Sequence, residues 1–307
     1  MKVVILLLLV GFSFSTYSQK VETAFIIPEK DLIPEGVAYD PDSKSFFVSS
    51  IYKKKIVRIN SKGKISDFIS SSQDGIGQVL GLKVANGKLW ACSNNSSEAG
   101  GTSMIHQYDV ASGKLIRKWT LPFSNERHLF NDMAITNNEA YISDSNDGSV
   151  FHISGQSEKP ELFIKEKSLR DINGIALLKE DQLVVNASIG FFTISLTTKE
   201  IKVLPFEGYF LLGIDGLCKY KQSLIGIQNV VFPVSISQYY LNSNRDKIEN
   251  AKVLLADHPQ FKIPTTGVIV EDTFYFIANS QLSNVDGEKL KNEAALQDVL
   301  IMKISLK

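Results

Sequence analysis

The stretch Gly213-Ile214-Asp215-Gly216-Leu217-Cys218 contains a short pattern that recurs along the chain. In most copies a polar or acidic residue and a glycine come just before an apolar run. The glycines of successive copies, with Asp132 in the third copy, are 42 to 51 residues apart. Such a period is typical of proteins with one supersecondary unit per repeat. The other copies are Pro34-Glu35-Gly36-Val37-Ala38, Leu80-Gly81-Leu82-Lys83-Val84, Phe130-Asn131-Asp132-Met133-Ala134, Ile172-Asn173-Gly174-Ile175-Ala176 and Thr265-Thr266-Gly267-Val268-Ile269.

Each repeat reads as four short strands joined by turns. Asn86-Gly87 is the strongest two-residue hairpin signal, and polar turn formers occupy the same place in the other repeats. The first strands, such as Val37–Tyr39 and Ile175–Leu178, are continuous apolar runs, as expected of strands buried between neighbouring sheets. The pattern predicts an all-β protein, a six-bladed β-propeller of four-stranded blades.

The N-terminal strand is predicted to complete the last blade. Residues 23–28 precede the first anchor by the spacing that separates a fourth strand from the next anchor elsewhere. Residues 298–306 read as the third strand of the sixth repeat, which lacks a fourth strand of its own. Closing the ring in this way leaves fewer free sheet edges.

The first 18 residues have the composition of a signal peptide. Lys2 precedes the apolar stretch Val3–Val10, and small residues surround a cleavage point after Ser18. We therefore expect residues 1–18 to be removed and residues 19–307 to form a single domain, exported to a periplasm or secreted. No later run approaches the ~20 apolar residues of a membrane span. Cys92 and Cys218 fall on nearly opposite sides of the ring and are predicted to be two buried free thiols.

The charge balance excludes one class of partner. Lysine plus arginine and aspartate plus glutamate both number 33, so the chain has no electrostatic footprint for nucleic acid. The remaining expectation is a small-molecule partner, and the oligomeric state is left open.

Four anchors carry oxygen ligands where the innermost strands begin, and in a closed ring they point at one axis. They are Glu35, Asn131 (with Asp132 beside it), Asn173 and Asp215. Two carboxylates and two amide carbonyls form a hard, all-oxygen cluster. The cluster predicts a divalent metal site for which calcium is the best match; magnesium, manganese and zinc stay open. The alternative is that these residues are ordinary turn formers.

Four short motifs at blade spacing are similar to those of a known protein family. In chain order they are Pro34-Glu35-Gly36, Phe130-Asn131-Asp132, Asn173-Gly174 and Asp215-Gly216. They resemble the six-bladed propellers of the senescence-marker-protein/gluconolactonase/luciferin-regenerating-enzyme family, which is more distantly akin to paraoxonases and strictosidine synthases. The resemblance implies metal ligation by Glu35, Asn173 and Asp215. It also implies that Asn131 contacts metal or substrate, and that Asp215 doubles as the general base.

One position departs from the family pattern. Sugar-lactonase members have an arginine two residues before the asparagine of the third blade, where this chain has Leu129. Arg127 and His128 lie one or two positions away, and a shift of one residue in a strand reverses the face. We predict that Arg127, His128, Asn131 and Asp132 bind substrate. Because Leu129 replaces the arginine that helps to hold a sugar acid, the sequence does not favour an aldonolactone as the substrate.

The resulting hypothesis is an exported, metal-dependent hydrolase of a lactone or related small ester. A divalent ion would polarise the carbonyl, and Asp215 would activate water. The alternative is a non-catalytic propeller that binds a small ligand or a protein partner, because fold alone does not decide function.

Other polar and aromatic residues surround the same mouth. Phe191, Tyr209 and Phe232 are candidate pocket walls. The connections 94–102, 228–234 and above all 280–296 are longer than the short ones at Asp147-Gly148 and Ile189-Gly190. Polar residues near the ends of the second strands either form a collar round the mouth or satisfy backbone groups. They are Asn94, Asp144, Asn186, Gln228, Asn229 and Asn279.

Overall fold

The structure, a computed structural model, describes residues 20–95, 101–121, 126–208 and 211–307. The predicted signal peptide and Tyr209 lie outside the described residues. Within the described ranges the chain forms six four-stranded antiparallel sheets and one two-stranded hairpin. The prediction of a six-bladed β-propeller is thereby confirmed.

The first half of the chain supplies β1 and blades 1 to 3. Strand β1 is Val21–Ile27. Blade 1 contains β2 (Val37–Asp40), β3 (Ser45–Ser50), β4 (Lys55–Ile59) and β5 (Ile65–Ile69). Blade 2 contains β6 (Gln78–Ala85), β7 (Lys88–Asn95), β8 (Thr102–Asp109) and β9 (Leu115–Thr120). Blade 3 contains β10 (Phe130–Thr136), β11 (Glu139–Asp144), β12 (Ser149–Ile153) and β13 (Glu161–Lys165).

The second half supplies blades 4 to 6. Blade 4 contains β14 (Ile175–Lys179), β15 (Gln182–Ala187), β16 (Gly190–Ser195) and β17 (Ile201–Val203). Blade 5 contains β18 (Ile214–Tyr220), β19 (Ser223–Gln228), β20 (Ser235–Leu241) and β21 (Ile248–Ala256). Blade 6 begins with β22 (Gly267–Val270) and β23 (Thr273–Ile277), then the hairpin β24 (Val285–Asp286) and β25 (Lys289–Leu290), then β26 (Val299–Ser305). Short 3-10 helices cover Gln73–Gly75, Lys167–Leu169, Leu282–Asn284 and Glu293–Ala295.

The ring closes as predicted. The strand order in blade 6 is β22, β23, β26, β1, and β1 pairs antiparallel with β26 from Val21 opposite Ile304 to Ile27 opposite Val299. The N-terminal strand is therefore the outermost strand of the last blade. This pairing joins the two ends of the described chain and covers an edge that β26 would otherwise leave open.

Turn chemistry sets the register of the inner hairpins. Asn86 and Gly87, between β6 and β7, have φ angles of 52° and 69°. Asn137 and Asn138 hold the same place in blade 3, with φ of 49° and 63°. Two consecutive positive φ angles are the requirement of a type I′ hairpin turn, and asparagine and glycine tolerate them best.

The hydrophobic core lies between successive blades. One buried cluster joins Phe47 and Ile56 of blade 1 to Leu82 and Leu89 of blade 2, and five further clusters occupy the rest of the described ring. The first strands are mostly apolar because neighbouring blades pack against them.

The anchor glycines are required by the close approach of neighbouring first strands. A Cβ on Gly36 would lie 2.2 Å from the carbonyl oxygen of Leu80, and one on Gly81 would lie 2.5 Å from that of Asn131. A Cβ on Gly216 would lie 2.6 Å from the carbonyl oxygen of Thr265. In each case the obstructing atom is backbone of the next blade, so the recurring glycine reflects blade packing.

Both cysteines are free, as predicted, and Cys92 is buried; Cys218 is only half-buried, which differs from the prediction that both thiols are buried. In the part of the chain that the structure describes, no helix is long and apolar enough to cross a membrane.

We predict that Gly81→Ala destabilises the protein by about 1–3 kcal/mol, because the new methyl group meets backbone atoms that cannot turn aside. Gly155→Ala is the matched control, since nothing lies within 4 Å of a Cβ at that position. Denaturant unfolding of the two variants beside wild type measures the difference. Equal unfolding free energies for the two variants would show that the blades have room to separate at Gly81.

A second prediction concerns His106, which is fully buried on β8 and stacked on Tyr108. Burial lowers the pKa of His106 from 6.5 to about 4. The unfolded chain therefore takes up this proton more readily than the folded protein. The unfolding free energy therefore has its full value above about pH 6.5, where the ring is neutral in both states. It decreases by up to about 3 kcal/mol as the pH falls toward 4, because only the unfolded chain is then protonated at this histidine.

His106→Phe removes this titration. We expect the unfolding free energy of wild type to fall relative to that of the variant between pH 6.5 and 4, as followed by denaturant unfolding at each pH. Parallel profiles for the two proteins over that range would contradict the prediction.

Candidate functional site

The four predicted ligands lie at the entrance of the propeller axis. The first strands β2, β6, β10, β14, β18 and β22 contact one another in order, and the sixth contacts the first. Glu35 and Asn173 lie two residues before β2 and β14, and Asn131 and Asp215 are the second residues of β10 and β18. All four therefore reach the axis at the same end of the ring.

Side chains of neighbouring strands and blades hold the anchor backbone. The Ser49 hydroxyl accepts from the Gly36 N–H at 2.6 Å. The Ser143 hydroxyl accepts from the Asp132 N–H at 3.1 Å and donates to the carbonyl oxygen of Asn173 at 2.6 Å. Position and orientation of the anchors are thus set by hydrogen bonds within and between blades.

Each predicted ligand presents a buried oxygen that has no hydrogen-bond partner. Eleven buried side-chain N or O atoms among the described residues lack a partner, and four of them belong to this set. An unpartnered buried polar atom destabilises the fold by ~1–3 kcal/mol, so a cluster of them at one place calls for an explanation. The atoms are Glu35 Oε2, Asn131 Oδ1, Asn173 Oδ1 and Asp215 Oδ1.

Burial and neighbouring negative charge raise the proton affinity of two carboxyl groups of the site, Glu35 and Asp215. Burial raises the pKa of Glu35 well above its usual value, and the charges of Asp215 and Asp132 raise it further. Burial also raises the pKa of Asp215 to about 6, although hydrogen bonds from Asn229 and Asn173 oppose the shift. Like charges and burial are the conditions under which a bound cation stabilises carboxylates most.

A lysine offsets one of the three carboxylates. Lys83 Nζ lies 2.8 Å from Asp132 Oδ1, and Asp132 is only 3% exposed. Within the described ranges no lysine, arginine or histidine forms an ion pair with Glu35 or Asp215. The charge of Lys83 also lowers the pKa of Glu35, but Glu35 and Asp215 remain two carboxylates without an ion-pair partner, and one divalent cation would match their charge.

The donor set fits a hard divalent cation. All four unpartnered atoms are oxygens, two from carboxylates and two from amides, which is the chemistry that calcium takes and that magnesium or manganese also takes. Calcium at this site stays a prediction, as do its alternatives magnesium, manganese and zinc.

Asn229 orients Asp215, a contact that the sequence did not indicate. Its Nδ2 donates to Asp215 Oδ2 at 2.5 Å and to the carbonyl oxygen of Pro264 at 2.9 Å. One oxygen of Asp215 is thereby held and the other, Oδ1, is left free. Among the other collar candidates, Asn94 and Asn279 bond to backbone groups, as the alternative reading predicted.

Two of the predicted substrate-binding residues lie apart from this set. Arg127 is exposed and has no hydrogen bond or ion pair with the described residues. His128 Nδ1 is 2.5 Å from Asp144 Oδ2, and its ring meets Phe151 edge-on. Substrate binding by Arg127, His128, Asn131 and Asp132 stays a prediction.

His128 belongs to a second cluster, with Asp144 and Asp147, whose potential ligand atoms all lie within 4.8 Å of one another. Asp144 Oδ1 accepts from the N–H groups of Leu129 and Asn146, and Lys165 Nζ lies 2.8 Å from Asp147. The cluster therefore fastens the segment before β10 to the end of β11. The pairing follows from the strand register, in which Phe130 lies opposite Asp144.

A cavity of about 520 Å³ opens beside the axial set between blades 4 and 5. Asn173, Asp215 and Asn229 line it together with apolar residues of the loops. Phe191, a predicted wall, is instead buried in the core against Tyr239, so that prediction was wrong. A second cavity of about 330 Å³ occupies the axis between the first strands of all six blades and is lined in part by Lys83.

Comparison with solved structures places the chain among propellers. A gluconolactonase from Xanthomonas campestris matches with a TM-score of 0.62 at 12% identity, over 94% of this chain and 90% of that one. A putative oxidoreductase (glucose dehydrogenase) from Thermus thermophilus matches with a TM-score of 0.64 at 13% identity, over 92% and 99%. A luciferin-regenerating enzyme matches with a TM-score of 0.57 at 12% identity, over 91% and 94%.

No protein-family model matches the sequence, and no curated protein matches it. At 12–13% identity these likenesses concern the fold alone. They confirm the expected resemblance to the propellers of a gluconolactonase and a luciferin-regenerating enzyme at the level of the fold: this chain is a six-bladed β-propeller of the same architecture.

Proposed function

We propose that this protein is an exported, divalent-metal-dependent hydrolase of lactones or related small esters, with calcium as the metal. The observation that carries the proposal is the set of four unpartnered oxygens, two of them on carboxylates without an ion-pair partner, at the axis and beside a cavity. The fold likeness to a gluconolactonase supports the proposal. Export rests on the predicted signal peptide.

Glu35, Asn131, Asn173 and Asp215 would hold the metal through their unpartnered oxygens. When bound, the metal supplies Lewis-acid polarisation of the substrate carbonyl and stabilises the charge that develops on its oxygen. The cavity on the blade 4 and 5 side admits the substrate, because Asn173 and Asp215 both line it.

Asp215 is the residue best placed to move a proton. Asn229 holds its Oδ2, so the carboxylate keeps one orientation. In the proposed reaction Asp215 accepts a proton from water at the remaining lone pair of Oδ2, since Oδ1 would hold the metal, as the water oxygen bonds to the carbonyl carbon. The ring C–O bond then breaks, and the proton passes to the departing oxygen, so that lactone and water give a hydroxy acid. A bound cation lowers the pKa of Asp215, and the raised starting value of about 6 offsets that effect.

The first test is metal binding. We expect calcium at ~100 times its Kd to stabilise wild type by ~2.7 kcal/mol, measured as a melting shift with chelator-treated protein as reference. Asp215→Asn should lose most of this shift, because it removes the charge of one of the two carboxylates that have no ion-pair partner. The control is Asp257→Asn, the same charge change at an exposed position of blade 5. Calcium should raise the melting temperature of this variant as much as that of wild type.

Wild type that is stabilised by none of calcium, magnesium, manganese or zinc would contradict the metal site. The four anchors would then be structural, and the alternative of a non-catalytic binding propeller would be preferred.

The second test is catalysis by the metal-loaded protein on uncharged lactones and phenyl acetate, followed as acid release at constant pH. We expect Asp215→Asn to lower kcat by at least about 10²–10⁴-fold, the usual contribution of a general base, because the substitution removes a metal ligand as well as the base. Asp257→Asn should retain wild-type activity. Metal binding without hydrolysis of any of these compounds would reject the enzyme and leave a metal-containing binding propeller.

A further inference from the structure

Blades 4 and 5 carry an exposed apolar surface at the mouth of the axial site. Ten large hydrophobic side chains of the described residues are exposed, and most of the others lie singly on outer strands. The four that lie on loops of blades 4 and 5, called the apolar rim, are Ile189 (69% exposed), Leu212 (37%), Val230 (73%) and Phe232 (88%). Leu212 and Val230 line the cavity of the axial site, and Ile189 and Phe232 directly follow the lining residues Ser188 and Val231.

The apolar rim is continuous with the proposed metal site in both sequence and space. Leu212 is three residues before Asp215, and Val230 directly follows Asn229, whose amide holds the Asp215 carboxylate. Leu212 and Val230 line the same 520 Å³ cavity as Asn173 and Asp215. A cavity of this volume lies in the range of small-molecule sites, and it is polar at the axis and apolar at the mouth.

The charges of the cavity restrict what can enter it. Among the described residues that line it there is no lysine, arginine or histidine, and the charged ones are Asp171 and Asp215. An anionic group placed against these walls would meet the carboxylate of Asp171, whose one ion-pair partner among the described residues is the exposed Arg170 at 3.8 Å, and no cation of the walls themselves. The proposed metal would be a further cation at the cavity, and in the proposed function it acts on the substrate carbonyl.

A polyhydroxylated ring is also poorly matched to the walls of the cavity. Polar side chains such as Asn173, Asn186 and Ser188 line part of the cavity. On the wall formed by Leu212, Val230 and Val231, however, hydroxyls would find no hydrogen bonds from side chains, and an unpartnered polar group loses its bonds to water. An alkyl or aryl group in the same place would instead remove apolar surface from water on both sides.

We infer that the substrate is an uncharged lactone or ester with an alkyl or aryl substituent, whose carbonyl lies at the axial oxygens and whose substituent covers the apolar rim. This inference rests on the proposed function and specifies the substrate class of that same site. It selects against both polyhydroxylated and anionic substrates.

The test compares δ-decanolactone, δ-valerolactone and D-glucono-δ-lactone with the full metal-loaded protein. In a closed hydrophobic pocket, one added methylene raises kcat/KM by ~10-fold or more. The effect per methylene is smaller here because the rim is partly open. We therefore expect kcat/KM for δ-decanolactone to exceed that for δ-valerolactone by at least ~10-fold, with D-glucono-δ-lactone the poorest substrate.

Val230→Asp should reduce the preference for δ-decanolactone several-fold, because it places a charge on the apolar wall. Val253→Asp is the matched control, the same change at an exposed valine on the outer strand β21 of the same blade, and it should keep the wild-type preference. Equal kcat/KM values for the two alkyl lactones, or preference for D-glucono-δ-lactone, would overturn the inference and leave the proposed function standing.

Failure to hydrolyse any lactone would reject the proposed function, and a binding measurement then tests the inference separately. Calorimetry with 2-pentylcyclopentanone and cyclopentanone, which cannot be hydrolysed, measures the contribution of the side chain alone. Binding of the pentyl compound at least ~10-fold more tightly, weakened by Val230→Asp but not by Val253→Asp, supports the apolar rim. Equal binding, or no binding of either ketone, overturns it.

Discussion

The close approach of the six first strands around the axis is the constraint on which the rest of this structure depends. Neighbouring backbones come so near that a single methyl group on Gly36 or Gly81 would meet carbonyl oxygens of the next blade. Inter-blade hydrogen bonds reinforce this contact; the hydroxyl of Thr266 in blade 6, for instance, donates to the carbonyl oxygen of Glu35 in blade 1 at 2.6 Å. Because the strands start at one end of the ring, whatever side chains accompany the glycines are brought together there.

Concentrating carboxylates on one axis opposes folding unless the charge is offset. Lys83 compensates Asp132 directly, whereas burial and like charges raise the pKa of both Glu35 and Asp215. Buried charges without partners destabilise a folded protein, and the unpartnered oxygens add to that effect. A divalent cation would relieve both, so metal binding and the stability of the ring centre are linked in the proposed function.

The ring is regular, but its mouth is not. The cavity and the apolar rim both lie at blades 4 and 5, in loops that the scaffold holds without prescribing their sequence. Specificity is commonly placed in such loops. The solved propellers that match this chain include a gluconolactonase and a protein described as an oxidoreductase, so the loops and the axial side chains, and not the fold, must decide the chemistry.

The sequence by itself determined the repeat, the six blades, the closing N-terminal strand and the four oxygen-bearing anchors, because hydrophobic period and turn residues are local properties. Only the tertiary structure decided that Lys83 pairs with Asp132, 49 residues away in the next blade, and that Asn229 holds Asp215. It also decided that Phe191 is core and Phe232 is exposed. Such contacts depend on strand register and on how one blade packs against the next. The spacing of residues along one repeat predicts neither of these.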